Sequence, residues 1–187
     1  MFDNPSPTFT VGQKEDPKPL HIALYPDYKS RGDILQYLRS TKLTGWPHQS
    51  TSLLDLHCTI LYSGSLVLPS DFPKEQVLGN PINLTGIKWP VKPLALGLAK
   101  VGTAVAVLFP RVERIKHLSD LMHKRFKLTP NPATYISHVT LSKIQMFPRN
   151  SKQYEMSPFK SITDYYHLPP YTGRMVFDTL KVSYDYS

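Results

Sequence analysis

The sequence predicts an α/β (α+β) chain with two similar lobes, on three observations. Short β-like runs alternate with stretches of helical periodicity. The order strand, helix, strand with His-x-Thr occurs twice, at Leu20 to Tyr62 and at Ala104 to Ser142. The chain has 187 residues, 41% hydrophobic and 19% charged, a globular composition with enough length to bury its own core. The expected organisation is a flexible N-terminal arm over 1–19 and a single bilobal domain over 20–187.

Each element has its own signal. Met1 to Pro19 is polar and carries four prolines, as an arm or surface strap does. Leu20 to Tyr25 reads as a strand stopped by Pro26. Ser30 with Asp33 resembles a capping box that opens a helix carrying Ile34, Leu35, Tyr37 and Leu38. After a turn-rich stretch, Leu54 to Tyr62 reads as a strand. Ser63 to Pro93 is loop-rich. Leu94 to Phe109 reads as two strands around Val101-Gly102. Pro110 suits the start of a helix whose apolar stripe is Val112, Ile115, Leu118, Met122 and Phe126. Its other face is basic, with Arg114, Lys116, Lys124 and Arg125. Tyr135 to Ser142 is the next strand. Gln145 to Gly173 is a long loop, with Tyr165, Tyr166 and His167 placed as a lid would be. Arg174 to Tyr186 closes the chain as an alternating strand.

Composition narrows the function classes. Lys and Arg number 22 against 14 Asp and Glu, a net charge of +8 that favours a phosphate-bearing partner. Eleven Tyr, eight Phe and two Trp offer surfaces on which bases stack. The single cysteine, Cys58, excludes an internal disulfide and a cysteine-rich zinc site. No apolar run approaches the ~20 residues of a membrane span. Met1 to Leu20 lacks the apolar segment of a secretory signal. The expectation is a cytoplasmic protein with no membrane partner. No His/Asp/Glu cluster has metal-ligand spacing and there is no Gly-rich phosphate loop, so no metal and no cofactor are expected.

His57-Cys58-Thr59 and His138-Val139-Thr140 carry the chemistry. His-x-Ser/Thr also occurs at His48 and His117, but His48 lies in a loop beside Pro47 and His117 on a helix, where i and i+2 diverge. In a strand, i and i+2 share a face. His57 and Thr59 therefore point one way, Cys58 and Ile60 the other, and the same holds for His138 and Thr140. Two histidines across a phosphate can serve as base toward a 2′-hydroxyl and acid toward a 5′-oxygen, because imidazole titrates near neutrality. Thr59 and Thr140 would donate to the non-bridging oxygens as charge builds. Which histidine is base stays open.

Paired His-x-Thr strands in a duplicated α/β chain of this size resemble the 2H phosphoesterase superfamily. Within it, His57 to Ser63 and Tyr135 to Ser142 look most like the phage anti-CBASS cyclic-oligonucleotide phosphodiesterases. The resemblance runs from about Leu20 to the C-terminus and is absent over Met1 to Pro19. It implies a 2H-phosphoesterase-like fold, with two antiparallel sheets facing a central cleft and helices outside. It implies His57 and His138 as the catalytic pair, with Thr59 and Thr140 as phosphate ligands. It further offers His21 of the first strand to the pocket, and Asp178 and Tyr184 of the last strand to the substrate's base; all three differ in residue type from the family pattern.

The implied function is metal-independent cleavage of 3′–5′ bonds in cyclic di- or trinucleotides, such as 3′,3′-cyclic GMP-AMP and cyclic triadenylate, which evades bacterial CBASS immunity. The implied partner is that cyclic oligonucleotide, with no stable long nucleic acid, in the cytoplasm of an infected bacterium. Three rivals share the sequence evidence: a 2H enzyme for RNA 2′,3′-cyclic phosphate ends or 2′–5′ oligoadenylate, a non-catalytic cyclic-nucleotide sponge, and a general nucleic-acid-binding domain.

Overall fold

The computed structural model describes residues 20–43, 54–64, 66–95, 103–144 and 146–184. The arm expected over 1–19 lies outside the described residues, as does the Val101-Gly102 turn. The elements run β1 (Leu20–Pro26), α1 (Tyr28–Thr41), β2 (Cys58–Ser63), β3 (Glu75–Asn83), β4 (Val91–Ala95), β5 (Thr103–Phe109), α2 (Glu113–Arg125), β6 (Ser137–Lys143), α3 (Lys152–Met156), α4 (Ile162–Tyr166) and β7 (Val176–Tyr184). This is the mixed α/β class that the alternation of β-like and helical runs predicts. Among the described residues no helix is long and apolar enough to cross a membrane.

All seven strands join one antiparallel sheet in the order β3-β7-β1-β2-β6-β5-β4. The two facing sheets expected from the resemblance are therefore two halves of one sheet. The inner strands β2 and β6 pair with each other instead of standing apart, and that seam is a single bridge, Cys58 with Val139. The expected duplication is visible in the register. The β1–β2 ladder shifts between Ile22 and Ala23, and the β5–β6 ladder shifts between Val105 and Ala106. Beyond β1, β7 pairs with Lys181 opposite Ala23; beyond β5, β4 pairs with Lys92 opposite Ala106. A local two-fold through the Cys58–Val139 bridge thus relates β1, β2 and β7 to β5, β6 and β4.

Strand alternation decides which face is core. Ile22, Leu24, Cys58, Ile60, Val105, Val107, Val139 and Leu141 are all buried in one cluster with Ile34 and Leu38 of α1 and Ile115 of α2. Burying such side chains stabilises the fold by roughly 1.5–3 kcal/mol each. The opposite face carries His21, Tyr25, His57, Thr59, His138 and Thr140, each half-buried. Helices α1 and α2 pack on the apolar face, and the polar residues share the opposite one.

Local corrections follow from side-chain competition. The cap of α1 is Asp27, which accepts the Ser30 N–H at 2.8 Å. Ser30 and Asp33 instead hold the chain before β7: the Ser30 hydroxyl accepts the Val176 N–H and Asp33 the Arg174 N–H. Arg174 also pairs with Asp27 at 2.7 Å. The buried positions of α2 are Ile115, Ser119 and His123, one row round from the expected stripe, whose Leu118 and Met122 are half-buried. Ser119 donates to the Ile60 carbonyl, and His123 bonds the Ser119 carbonyl, so both polar side chains are satisfied inside the core. The long loop holds α3 and α4. Tyr165 is buried and stacked on Phe159 at 4.2 Å, which makes it an anchor of that segment and not part of a lid.

Candidate active site

The seam sets the site. Because β2 and β6 run antiparallel through Cys58–Val139, their register puts His57 beside Thr140 and Thr59 beside His138. Side chains opposite each other across such a pair lie about 4.5–5.5 Å apart at Cβ. Cys58 and Val139 point into the core, so all four polar side chains rise from the other face. Burial pushes the Cys58 thiol up to about 12, a protonated, inert packing group.

Both histidines are held in the same way. His57 Nδ1 bonds the Asp55 carbonyl at 2.5 Å, and His138 Nδ1 bonds the Ile136 carbonyl at 2.8 Å. In each case the partner is the carbonyl two residues upstream. A carbonyl oxygen only accepts, so Nδ1 carries the proton in both rings. Nε2 is then the ring nitrogen left for a ligand, as a lone pair when the ring is neutral and as N–H when it is cationic. The sequence motif contains no hint of this contact, because the carbonyl belongs to the backbone.

Burial lowers the His138 pKa below the ordinary imidazole value; the Ile136 hydrogen bond opposes this and the charge of His57 reinforces it. His57 sits among rings: His21 is stacked on it with centroids 5.0 Å apart and planes at 22°, and Tyr25 lies at 5.7 Å. His21 Nε2 bonds the Ser183 hydroxyl at 2.8 Å, and Ser183 also bonds Tyr25. Burial raises the Tyr25 pKa despite that bond, so its hydroxyl stays protonated. On the other side Tyr135 lies 6.1 Å from His138.

The sheet brings His21 to the four motif residues. Asp178 falls at the shift in the β1–β7 ladder between Tyr25 and Pro26, and it accepts a hydrogen bond from Thr179 at 2.9 Å. The residues of β7 that register with Tyr25, Ala23 and His21 are Thr179, Lys181 and Ser183. Tyr184 ends β7 opposite Leu20, and its side chain lies outside the described residues. Tyr25, Lys181 and Ser183 are neighbours that sequence reasoning missed. Alternation along β1 was enough to find Tyr25, four residues from His21; Lys181 and Ser183 needed the register. Among the described residues no group of three or more His, Cys, Asp or Glu side chains is placed to hold a metal.

No protein-family model matches the chain, and no curated protein matches it. Among solved structures the chain is similar to E. coli LigT complexed with 3′-AMP, with 14% identity over 92% of this chain and 90% of that one and a TM-score of 0.48.

Proposed function

We propose that this protein is a phosphodiesterase of the two-histidine kind, cleaving 3′–5′ bonds of cyclic di- or trinucleotides. One observation carries the reading: two His-Thr pairs face each other across one bridge, each histidine with Nδ1 committed to the carbonyl two residues back. That arrangement offers a base, an acid and two hydroxyl donors on one face of the sheet. His138, kept neutral, takes the proton of the 2′-hydroxyl at Nε2. The 2′-oxygen attacks phosphorus in line while the bond to the 5′-oxygen breaks. His57 gives its Nε2 proton to that leaving oxygen. Thr59 and Thr140 donate to the non-bridging oxygens, whose charge is greatest in the transition state. The product is a linear nucleotide ending in a 2′,3′-cyclic phosphate. Water then opens it to a 3′-phosphate with the two roles exchanged. The likeness of both motif strands to the anti-CBASS enzymes supports cyclic oligonucleotide alarms of bacterial immunity as the substrate.

The test is incubation with 3′,3′-cyclic GMP-AMP and cyclic triadenylate in EDTA, followed by chromatography. The double variant His57→Ala/His138→Ala is run alongside. Linear products from the wild type alone are expected. Unchanged ligand recovered from a tight complex would make the protein a sponge. Neither binding nor cleavage would overturn this substrate class and point to RNA 2′,3′-cyclic ends or 2′–5′ oligoadenylate.

A further inference from the structure

The local two-fold extends beyond the histidines. Following the register outward from Thr59 gives Ala23 on β1, then Lys181 on β7. Following it outward from Thr140 gives Ala106 on β5, then Lys92 on β4. Residues paired across antiparallel strands share a face. Both lysines therefore stand on the face of the histidines, each two strands from its threonine and separated from it by a buried alanine. With strands ~4.8 Å apart, each lysine's Cα lies about 12 Å from the seam, and its stem is long enough to reach back over the alanine. Lys181 does lean this way: its Nζ lies 4.9 Å from the centroid of Tyr25, the ring against His57. Its pairing with Glu75 is long, at 4.0 Å, and solvent-exposed, and such a pair yields readily to a phosphate.

Edge protection is the ordinary reason for a strand lysine. It fits Lys92, since β4 is an outer strand. It does not fit Lys181, because β3 covers β7. Two lysines at equivalent places, one edge and one interior, share only their position relative to the seam.

We infer that Lys92 and Lys181 are two phosphate anchors, one on each side of the scissile phosphate. The substrate then carries phosphates flanking the bond that is cut, as an internal bond of a cyclic or linear oligonucleotide does and a lone terminal cyclic phosphate does not. This rests on the proposed phosphodiesterase reading and narrows its substrate.

Binding is read on the His57→Ala/His138→Ala protein, so that turnover plays no part. The probes are cyclic triadenylate, with three phosphates, and adenosine 2′,3′-cyclic monophosphate, with one. Lys92→Gln and Lys181→Gln, each added to that background, are expected to weaken the trinucleotide about tenfold more than the mononucleotide. Each should also reduce the salt dependence of trinucleotide binding by about one ion. Lys116→Gln removes the same charge from the outer face of α2, where Lys116 pairs with Asp120, and should change neither probe. Equal losses on both probes, or losses matched by Lys116→Gln, would overturn the anchors and leave only a net-charge effect. Absence of trinucleotide binding in the histidine double variant, together with absence of cleavage by the wild type, would overturn the anchors and the phosphodiesterase reading together. Wild-type cleavage with lysine variants indistinguishable from their parent would overturn the anchors alone.

Discussion

Among the described residues, Cys58 and Val139 are the one bridged pair between the two halves of the sheet, and each stands between a histidine and a threonine that face the other way.

His57→Ala and His138→Ala should each lower kcat at least ~10²-fold. Thr59→Val and Thr140→Val should cost about 10²-fold each. Circular dichroism and thermal midpoints near the wild-type values would show that the losses are chemical. The side chains rise from the half-open face and are not part of the apolar cluster.

The pH dependence has a definite sign. Burial and the His57 charge favour neutral His138, so its folded pKa lies below the unfolded value of about 6.5. Its contribution to stability is therefore full above the unfolded value and is lost as pH falls through that value toward the folded one. The acid limb of kcat/KM should lie below pH ~6.5. In His57→Gln, with the like charge gone, the His138 ring should titrate higher when followed by NMR. An unchanged titration would remove His57 from its causes.

Asp27 ties the start of α1 to the approach to β7. Burial pushes its carboxyl up, but hydrogen bonds from Arg174 and Ser30 outweigh this and hold it below the usual carboxylate range. Its stabilisation is present above the unfolded carboxylate pKa of about 3.9 and lost as pH falls through the lower folded value. Asp27→Ala should cost about 1 kcal/mol at neutral pH as a lost cap. Denaturant titrations at pH 7 and pH 3 should show that the difference from wild type shrinks in acid.

Cys58 should resist alkylation in the native protein, because its thiol is buried and pushed up to about 12. Labelling should appear only on unfolding. Cys58→Asp, which buries a charge at the seam, should prevent folding, whereas Cys58→Ala should fold. Rapid native labelling would contradict the closed seam.

How much was legible in the sequence depended on alternation. The motif strands show it, so His57, Thr59, His138 and Thr140 could be assigned to one face before any coordinates. β3 does not: Gly79, Asn80 and Pro81 interrupt it, and as an outer strand it buries little but Ile82. Asp27 lost to Ser30 as the expected cap because the hydroxyl's partner, Val176, is 146 residues away. Lys181 and Lys92 gain their meaning only from pairing partners. No local pattern marks them.

The two-fold has a consequence for the direction in which a nucleotide chain can lie. In the proposed reading, the repeated histidines and threonines would take a phosphodiester in either polarity if their surroundings matched, but the repeat is broken at the flanks. Tyr25 and His21 on one side correspond to Leu108 and Ala104 on the other. The rings that β1 sets beside His57 have no counterpart on β5. In that reading the mismatched flanks, and not the matched centre, would give the site its sense of 5′ and 3′.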